Sequence, residues 1–377
     1  MASTRRLVAA TLLLGLVAAS CGAATAPSWT WTPNGGAPTG TPPTATLPIA
    51  PPNASPGESS KPARTDLRPD PNAATYAPRD PVAPARLDGT THDIDLRISE
   101  PHMTVAEGIV REVWTFGGTV PGPVIRVGLG DTIRLHVVSR PPKLPGLAAL
   151  MHPAVNVHPH ALDIHGATGG WNDAMTPIQP GEERTYEFTA EHAGVWMYHG
   201  AAPPALLEIA NGMYGMMIVE PEGGLDEVDQ ELFLVQGEWY LGRLHESASL
   251  ERAAALVPEP DFVVFNGIAD QYREHPIQVE SGRRIRVFIL DAGPNLGSSF
   301  RIEGAVFDRV IKEGIELEVG NSGGWGSQAV DLSPGQGAIV EFTLAEDGLF
   351  PIVTHAWNLA ELGASGLLQA GGGEPPN

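Results

Sequence analysis

Polar and apolar residues alternate strictly in short runs from about residue 85 onward. The first set is Asp93–Ile98 (DIDLRI), Ile133–Val138 (IRLHVV) and Arg184–Thr189 (RTYEFT). A second set follows in Glu231–Val235, Arg284–Ile289 and Ala338–Thr343. A period of two predicts strands with one wet face and one face on a core. Turn clusters separate the runs: Pro121-Gly122-Pro123, Gly128–Asp131 and Pro180-Gly181-Glu182 in the first half, Glu280-Ser281-Gly282 and Ser333-Pro334-Gly335 in the second. Because the strand–turn–strand spacing recurs, the pattern predicts an all-β chain of two similar sandwiches, residues 86–222 and 223–377, joined near Glu220–Gly224. Short helical pieces are expected at 246–256 and 358–362.

Upstream the pattern is different. Arg5 and Arg6 precede an apolar run from Leu7 to Ala19, which ends Val17-Ala18-Ala19-Ser20-Cys21. The run is too short to span a bilayer and has the layout of a secretory signal, expected over residues 1–21. Cys21 is the only cysteine. The segment resembles a lipobox, with Ala18 where leucine is usual, which makes Cys21 the expected lipidation site. The alternative is an ordinary cleaved signal with an incidental cysteine. Two or more acyl chains would anchor the chain stably. The expected location is therefore outside the cytoplasm, either on the outer side of the cytoplasmic membrane or in the periplasm. Residues 22–85 hold 15 of the 36 prolines and no hydrophobic period, the composition of a disordered tether.

Charge narrows the partners. Of 377 residues, 44 are acidic and 23 basic, a net charge of −21. That balance lacks the cationic surface that nucleic acid or an anionic membrane would require, so membrane attachment is expected through the lipid alone. One cysteine also excludes an intramolecular disulfide, a CxxC zinc site and an iron–sulfur cluster.

The candidate chemistry lies in the histidines. His152, His158, His160 and His165 cluster within 14 positions, His199 follows in Trp196-Met197-Tyr198-His199, and His355 sits in Val353-Thr354-His355-Ala356-Trp357. Imidazole is the commonest side-chain ligand for copper and zinc, although an isolated histidine is more often a surface or core residue. His160 and His165 are an odd number apart, so an uninterrupted strand would aim them at opposite faces.

Several motifs carry a family resemblance. Gly118–Asp131 (GTVPGPVIRVGLGD) resembles the opening cupredoxin segment of multicopper oxidases. Pro159–His165, Gln179–Glu182, Trp196–His199, Ala210–Gly215 and Val353–Trp357 resemble the two-domain copper-containing nitrite reductases and their multicopper-oxidase relatives. The resemblance covers residues 90 to 370 and implies two tandem cupredoxin-like Greek-key sandwiches after the tether, assembled as a homotrimer. It also implies a type 1 copper for electron input and a type 2 copper between subunits. Carried over, the type 2 ligands are His165 and His199 of one subunit and the partner subunit's His355. Asp163 matches the active-site aspartate that helps deliver protons.

The type 1 set departs from the family's pattern. His160 and Met213 match, but Gly200 stands in place of the cysteine and Glu208 in place of the second histidine. The expected cofactor is therefore type 2 copper without type 1 copper, and electrons would come directly from an external donor. Val306 takes the place of the second active-site histidine, which weakens nitrite as the substrate. A laccase-type trinuclear cluster needs four His-x-His pairs, and only His158-Pro159-His160 has that spacing. The readings left open are a copper oxidoreductase, a non-catalytic copper-binding or buffering lipoprotein, and a metal-free structural trimer. His152 and His158 are expected in a solvated loop, the alternative being a second metal site or a path that carries copper inward. The Glu208 carboxylate is expected to face solvent, the alternative being a hard N/O site shared with His160 in the vacated type 1 pocket. Arg301 can pair with Glu303 or Asp308.

Overall fold

The computed structural model describes residues 67, 69, 70, 73, 75–139, 154–160, 176–242, 247–317 and 326–372. Cys21, His152, Asp163 and His165 lie outside the described residues, as do the segment expected to be a signal and most of the expected tether. Among the described residues, no helix is long and apolar enough to cross a membrane.

In chain order the first sandwich contains β1 (Thr91–Ser99), the hairpin β2 (His102–Ala106) and β3 (Ile109–Glu112), β4 (Thr115–Phe116), β5 (Ile125–Gly128), β6 (Thr132–Val138), β7 (His158–Pro159), β8 (Glu183–Thr189), β9 (Gly194–His199), helix α1 (Ala205–Ala210) and β10 (Tyr214–Glu220). Its two sheets run β4-β1-β6-β8 and β5-β10-β9-β7. The second sandwich contains β11 (Gln230–Trp239), α2 (Leu250–Ala253), β12 (Phe262–Phe265), α3 (Gln271–Glu274), β13 (Ile277–Val279), β14 (Arg284–Asp291), β15 (Ser298–Ile302), β16 (Arg309–Lys312), β17 (Ile315–Leu317), β18 (Val330–Leu332), β19 (Gly337–Thr343), β20 (Gly348–Thr354), α4 (Trp357–Ala360) and β21 (Ser365–Ala370). Its sheets run β12-β11-β14-β19-β16-β17 and β13-β21-β20-β15-β18. The chain is thus all-β, with each predicted run lying inside a strand. Among the described residues of the 246–256 stretch, helix is confined to Leu250–Ala253, where the Ser249 side chain accepts a hydrogen bond from the Arg252 N–H.

Alternation does its expected work in the outer sheet of the first sandwich. Leu96, Ile98, Ile133, Leu135, Val137, Tyr186 and Phe188 are buried, while Asp93, Asp95 and Arg134 face water. The second sandwich has its own core around Phe265, Phe300, Phe307 and Phe342. A third core joins the two: Val195, Met197, Met216 and Ile218 from β9 and β10 pack with Val235, Phe288, Leu290 and Ile339 from β11, β14 and β19. Burial on both faces explains why every residue of β10 is buried and why its run MMIV shows no alternation.

The sandwiches are also joined by backbone and charge. Trp196 bridges to Gln336, and a Cβ at Gly314 would stand 2.1 Å from the Ala193 carbonyl oxygen, so only glycine permits that approach. Arg126 of β5 donates to Glu220 at 2.7 Å and to Glu231 at 2.5 Å. Glu231 in turn accepts from Arg286 at 2.6 Å, and Arg286 donates to Glu341 at 2.7 Å. β9 is therefore held on one edge by β10 and on one face by the second sandwich, so the histidine at its end sits on a rigid element.

Candidate metal centre

β7 pairs antiparallel with β9, and the register sets His158 directly opposite His199. The His160 N–H donates to the Met197 carbonyl at 2.8 Å, which brings the chain back along β9 one residue past the strand. His158 and His160 are two residues apart and share a face, as the strand period requires. The result is three imidazoles at one point. His158 Nδ1 lies 3.3 Å from His199 Nε2, and His160 Nε2 lies 3.2 Å from the same atom. The three ligand atoms fall within 4.8 Å of one another. The rings meet edge to face, with centroids 5.1–5.2 Å apart.

All three side chains are half-buried. Burial pushes His158 down to about 4 and His160 down to about 4, with the nearby His199 adding to both shifts. His199 is also lowered by burial. At neutral pH the trio is therefore uncharged, the form in which imidazole binds a metal. A cluster of neutral imidazoles is a donor set suited to copper or zinc.

The neighbourhood of Gly200 has a different character. The Gly200 N–H donates to the Met213 carbonyl at 2.9 Å. A Cβ at Gly200 would lie 2.6 Å from Glu208 Oε2 and 2.9 Å from Glu208 Cβ. Glu208, expected at the surface, is only 1% exposed. Its carboxylate fills the space in front of residue 200, where Oε2 accepts from the Ala202 N–H at 2.9 Å. Among the described residues, Oε1 is buried without a hydrogen-bond partner. Burial pushes the carboxyl up to about 8, so it is held mostly protonated at neutral pH. Met213 is fully buried in the core of the first sandwich.

That carboxyl has a measurable consequence. Folded, Glu208 keeps its proton to about pH 8, whereas in the unfolded chain it ionises near 4.5. Between those limits the folded state binds the extra proton, so this group's contribution to stability falls as pH rises from 4.5 to 8. Glu208→Gln is expected to stabilise the metal-free protein by about 2–4 kcal/mol at pH 8 and to change little at pH 4.5. Denaturant unfolding at both pH values checks this, and an equal effect at both would contradict it.

The remaining residues fall elsewhere. His355 follows β20, where its Nε2 lies 3.3 Å from Glu303 Oε1 and its ring stacks on Trp357 at 5.0 Å. Trp357 is 62% exposed, and Val306 is also exposed. Arg301 pairs with Glu303 at 3.0 Å, while Asp308 goes to Arg284. His158, expected in a solvated loop, is instead paired on a strand. Its two-residue spacing from His160 was the available signal. Of the pair His160 and His165, only His160 is among the described residues, and it directly follows β7, which ends at Pro159.

The sequence profile of the multicopper oxidase family matches residues 97–224. The copper-containing nitrite reductase of Neisseria meningitidis serogroup B is 34% identical over 308 residues, covering 80% of this chain and 74% of that protein. The Neisseria gonorrhoeae copper-containing nitrite reductase matches over the same length, also at 34% identity. Among solved structures, the copper nitrite reductase from Nitrosomonas europaea superposes with a TM-score of 0.64 at 28% identity, covering 74% of this chain and 94% of that one. With two sandwiches, motifs matching in order and identity sustained across both domains, this chain belongs to the family of copper-containing nitrite reductases and their multicopper oxidase relatives.

Proposed function

We propose that this chain is an exported, lipid-anchored homotrimeric copper oxidoreductase that works with type 2 copper and without a blue type 1 centre. The observation that carries this reading is the Glu208 carboxyl, which occupies the space a thiolate side chain at position 200 would need. A blue site requires a cysteine among its ligands, and Cys21 is the only cysteine, far up the chain at the expected lipidation point. The type 2 copper would be held by His165 and His199 of one subunit and the partner subunit's His355.

Bound there, copper would supply one-electron chemistry and a Lewis-acidic position for a small anion such as nitrite. This chain's residues do the rest. The Nδ1–H of His199 donates to the Gly200 carbonyl at 2.8 Å, which leaves Nε2 as its coordinating atom. Asp163 would hold a proton beside the bound anion. Glu303 orients His355, and the exposed Trp357 stacked on it is an apolar surface suited to being covered by a neighbouring subunit. Without type 1 copper, electrons must come from an external donor docking directly at the centre.

The buried Glu208 also favours a second reading. A chain with its electron input closed can bind or buffer copper without turnover.

The test is metal analysis of the purified protein together with nitrite turnover using a small-molecule reductant. The proposal expects about one interface copper per chain, turnover, and a protein without the intense colour of a copper–thiolate bond. Copper without turnover selects the buffering reading. A copper-free trimer overturns both, and an intense blue or green form overturns the loss of the type 1 centre.

A further inference from the structure

We infer that His158, His160 and His199 of a single chain form a transition-metal site of their own, separate from the interface copper and complete without a second subunit. The ligand class is a late first-row divalent cation, Cu²⁺ or Zn²⁺. This goes beyond the proposed function, in which His158 has no role.

Three observations converge. First, the spacing fits. Imidazole nitrogens bound tetrahedrally at about 2.0–2.1 Å from such a metal lie about 3.3 Å from one another. His160 Nε2 and His158 Nδ1 stand 3.2 Å and 3.3 Å from His199 Nε2, and all three atoms lie within 4.8 Å of one another.

Second, the two contacts at His199 Nε2 cannot both be hydrogen bonds. A carbonyl oxygen only accepts, so His199 Nδ1 carries the proton it gives to Gly200. Nε2 of the neutral ring then has one lone pair, yet two ring nitrogens crowd it. One N–H can be accepted there, not two. A cation at the common point takes a lone pair from each of the three rings.

Third, the rings are held. His158 is locked opposite His199 by the β7–β9 register. The backbone at His160 is tied to Met197. The His160 ring lies against Gly335, in the β18–β19 turn of the second sandwich, where an added Cβ would stand 3.3 Å from its Cε1. Backbone carbonyls that fix the far nitrogen of a ligating histidine are the usual support of an imidazole metal site.

Three protein nitrogens leave a fourth position open, as in catalytic rather than structural zinc sites. His199 offers a single coordinating nitrogen, so its lone pair serves either this site or the interface site in a given chain. His158 belongs only to the first and His355 only to the second, which makes the two assignments separable.

The experiment titrates Zn²⁺ into the metal-free full-length protein in competition with a chromogenic chelator, for wild type, His355→Ala and the double variant His158→Ala/His355→Ala. The His355→Ala variant, which lacks an interface ligand, should keep a tight Zn²⁺ site, and adding His158→Ala should weaken that site by at least about tenfold. Loss of tight Zn²⁺ binding in His355→Ala, or equal affinity in the single and double variants, overturns the inference. If the double variant fails to fold, X-ray absorption of Zn²⁺-loaded His355→Ala decides: three imidazole ligands support the site, and fewer overturn it.

Discussion

Replacing His199 with alanine is expected to abolish tight copper binding altogether, lowering affinity by more than about 100-fold while both sandwiches stay folded. His199 is the one ligand common to the proposed interface centre and to the proposed site within a chain. Its Nε2 is the atom on which His158 and His160 converge. Loss of His158 or of His355 removes one arrangement and spares the other, so neither should match the effect of His199→Ala. The cost to folding should be small, of order 1 kcal/mol, because the variant forfeits one hydrogen bond to the Gly200 carbonyl and some packing at the end of β9. Copper per chain after equilibrium dialysis, with circular dichroism to verify the fold, gives the readout. Full copper retention would mean that neither assignment of the metal ligands is right.

Arg286→Ala should be the most damaging change away from the histidines, lowering stability by about 3–5 kcal/mol. Arg286 is 1% exposed and lies at the centre of a charge ladder across three neighbouring strands. The register places it opposite Glu231 on β11 and opposite Glu341 on β19. It also donates to the Asp226 carbonyl at 2.6 Å. Glu231 is shared with Arg126 of the first sandwich, so the loss reaches the joint between the domains. The penalty comes chiefly from the buried Glu341 and half-buried Glu231 carboxylates left short of a partner rather than from the attraction itself. Arg283→Ala is the control. It removes exposed pairs with Asp229 and Glu280 and should cost less than about 1 kcal/mol. Denaturant unfolding of the two variants checks the contrast, and similar losses in both would refute the role given to the ladder.

Some of the structure was legible in the residues alone. Where a strand has one wet face, the period of two is written directly into it. Asp93–Ile98, Ile133–Val138 and Arg184–Thr189 show this, and all three are strands. β10 was not legible in that way, because packing against the second sandwich buries both of its faces and erases the alternation. The family was also readable, since the motifs stand in order along both domains, and the comparisons agree.

The candidate site divides along the same line. By itself the sequence determined the fold class, the family, the supply of histidines and the absence of a second cysteine, because these depend on composition and local order. Tertiary structure alone decided which histidines meet. His158 and His199 are 41 residues apart and become neighbours only through the β7–β9 register. It alone decided the fate of Glu208 as well. A glutamate on a short helix normally reaches water, since ionised carboxylates are costly to bury. Here the glycine at position 200 leaves a side-chain-sized space on the adjoining strand, and the carboxyl enters it at the cost of holding its proton up to about pH 8. Contacts between segments distant in sequence carry no local period or propensity, so they are settled only when the sheets assemble.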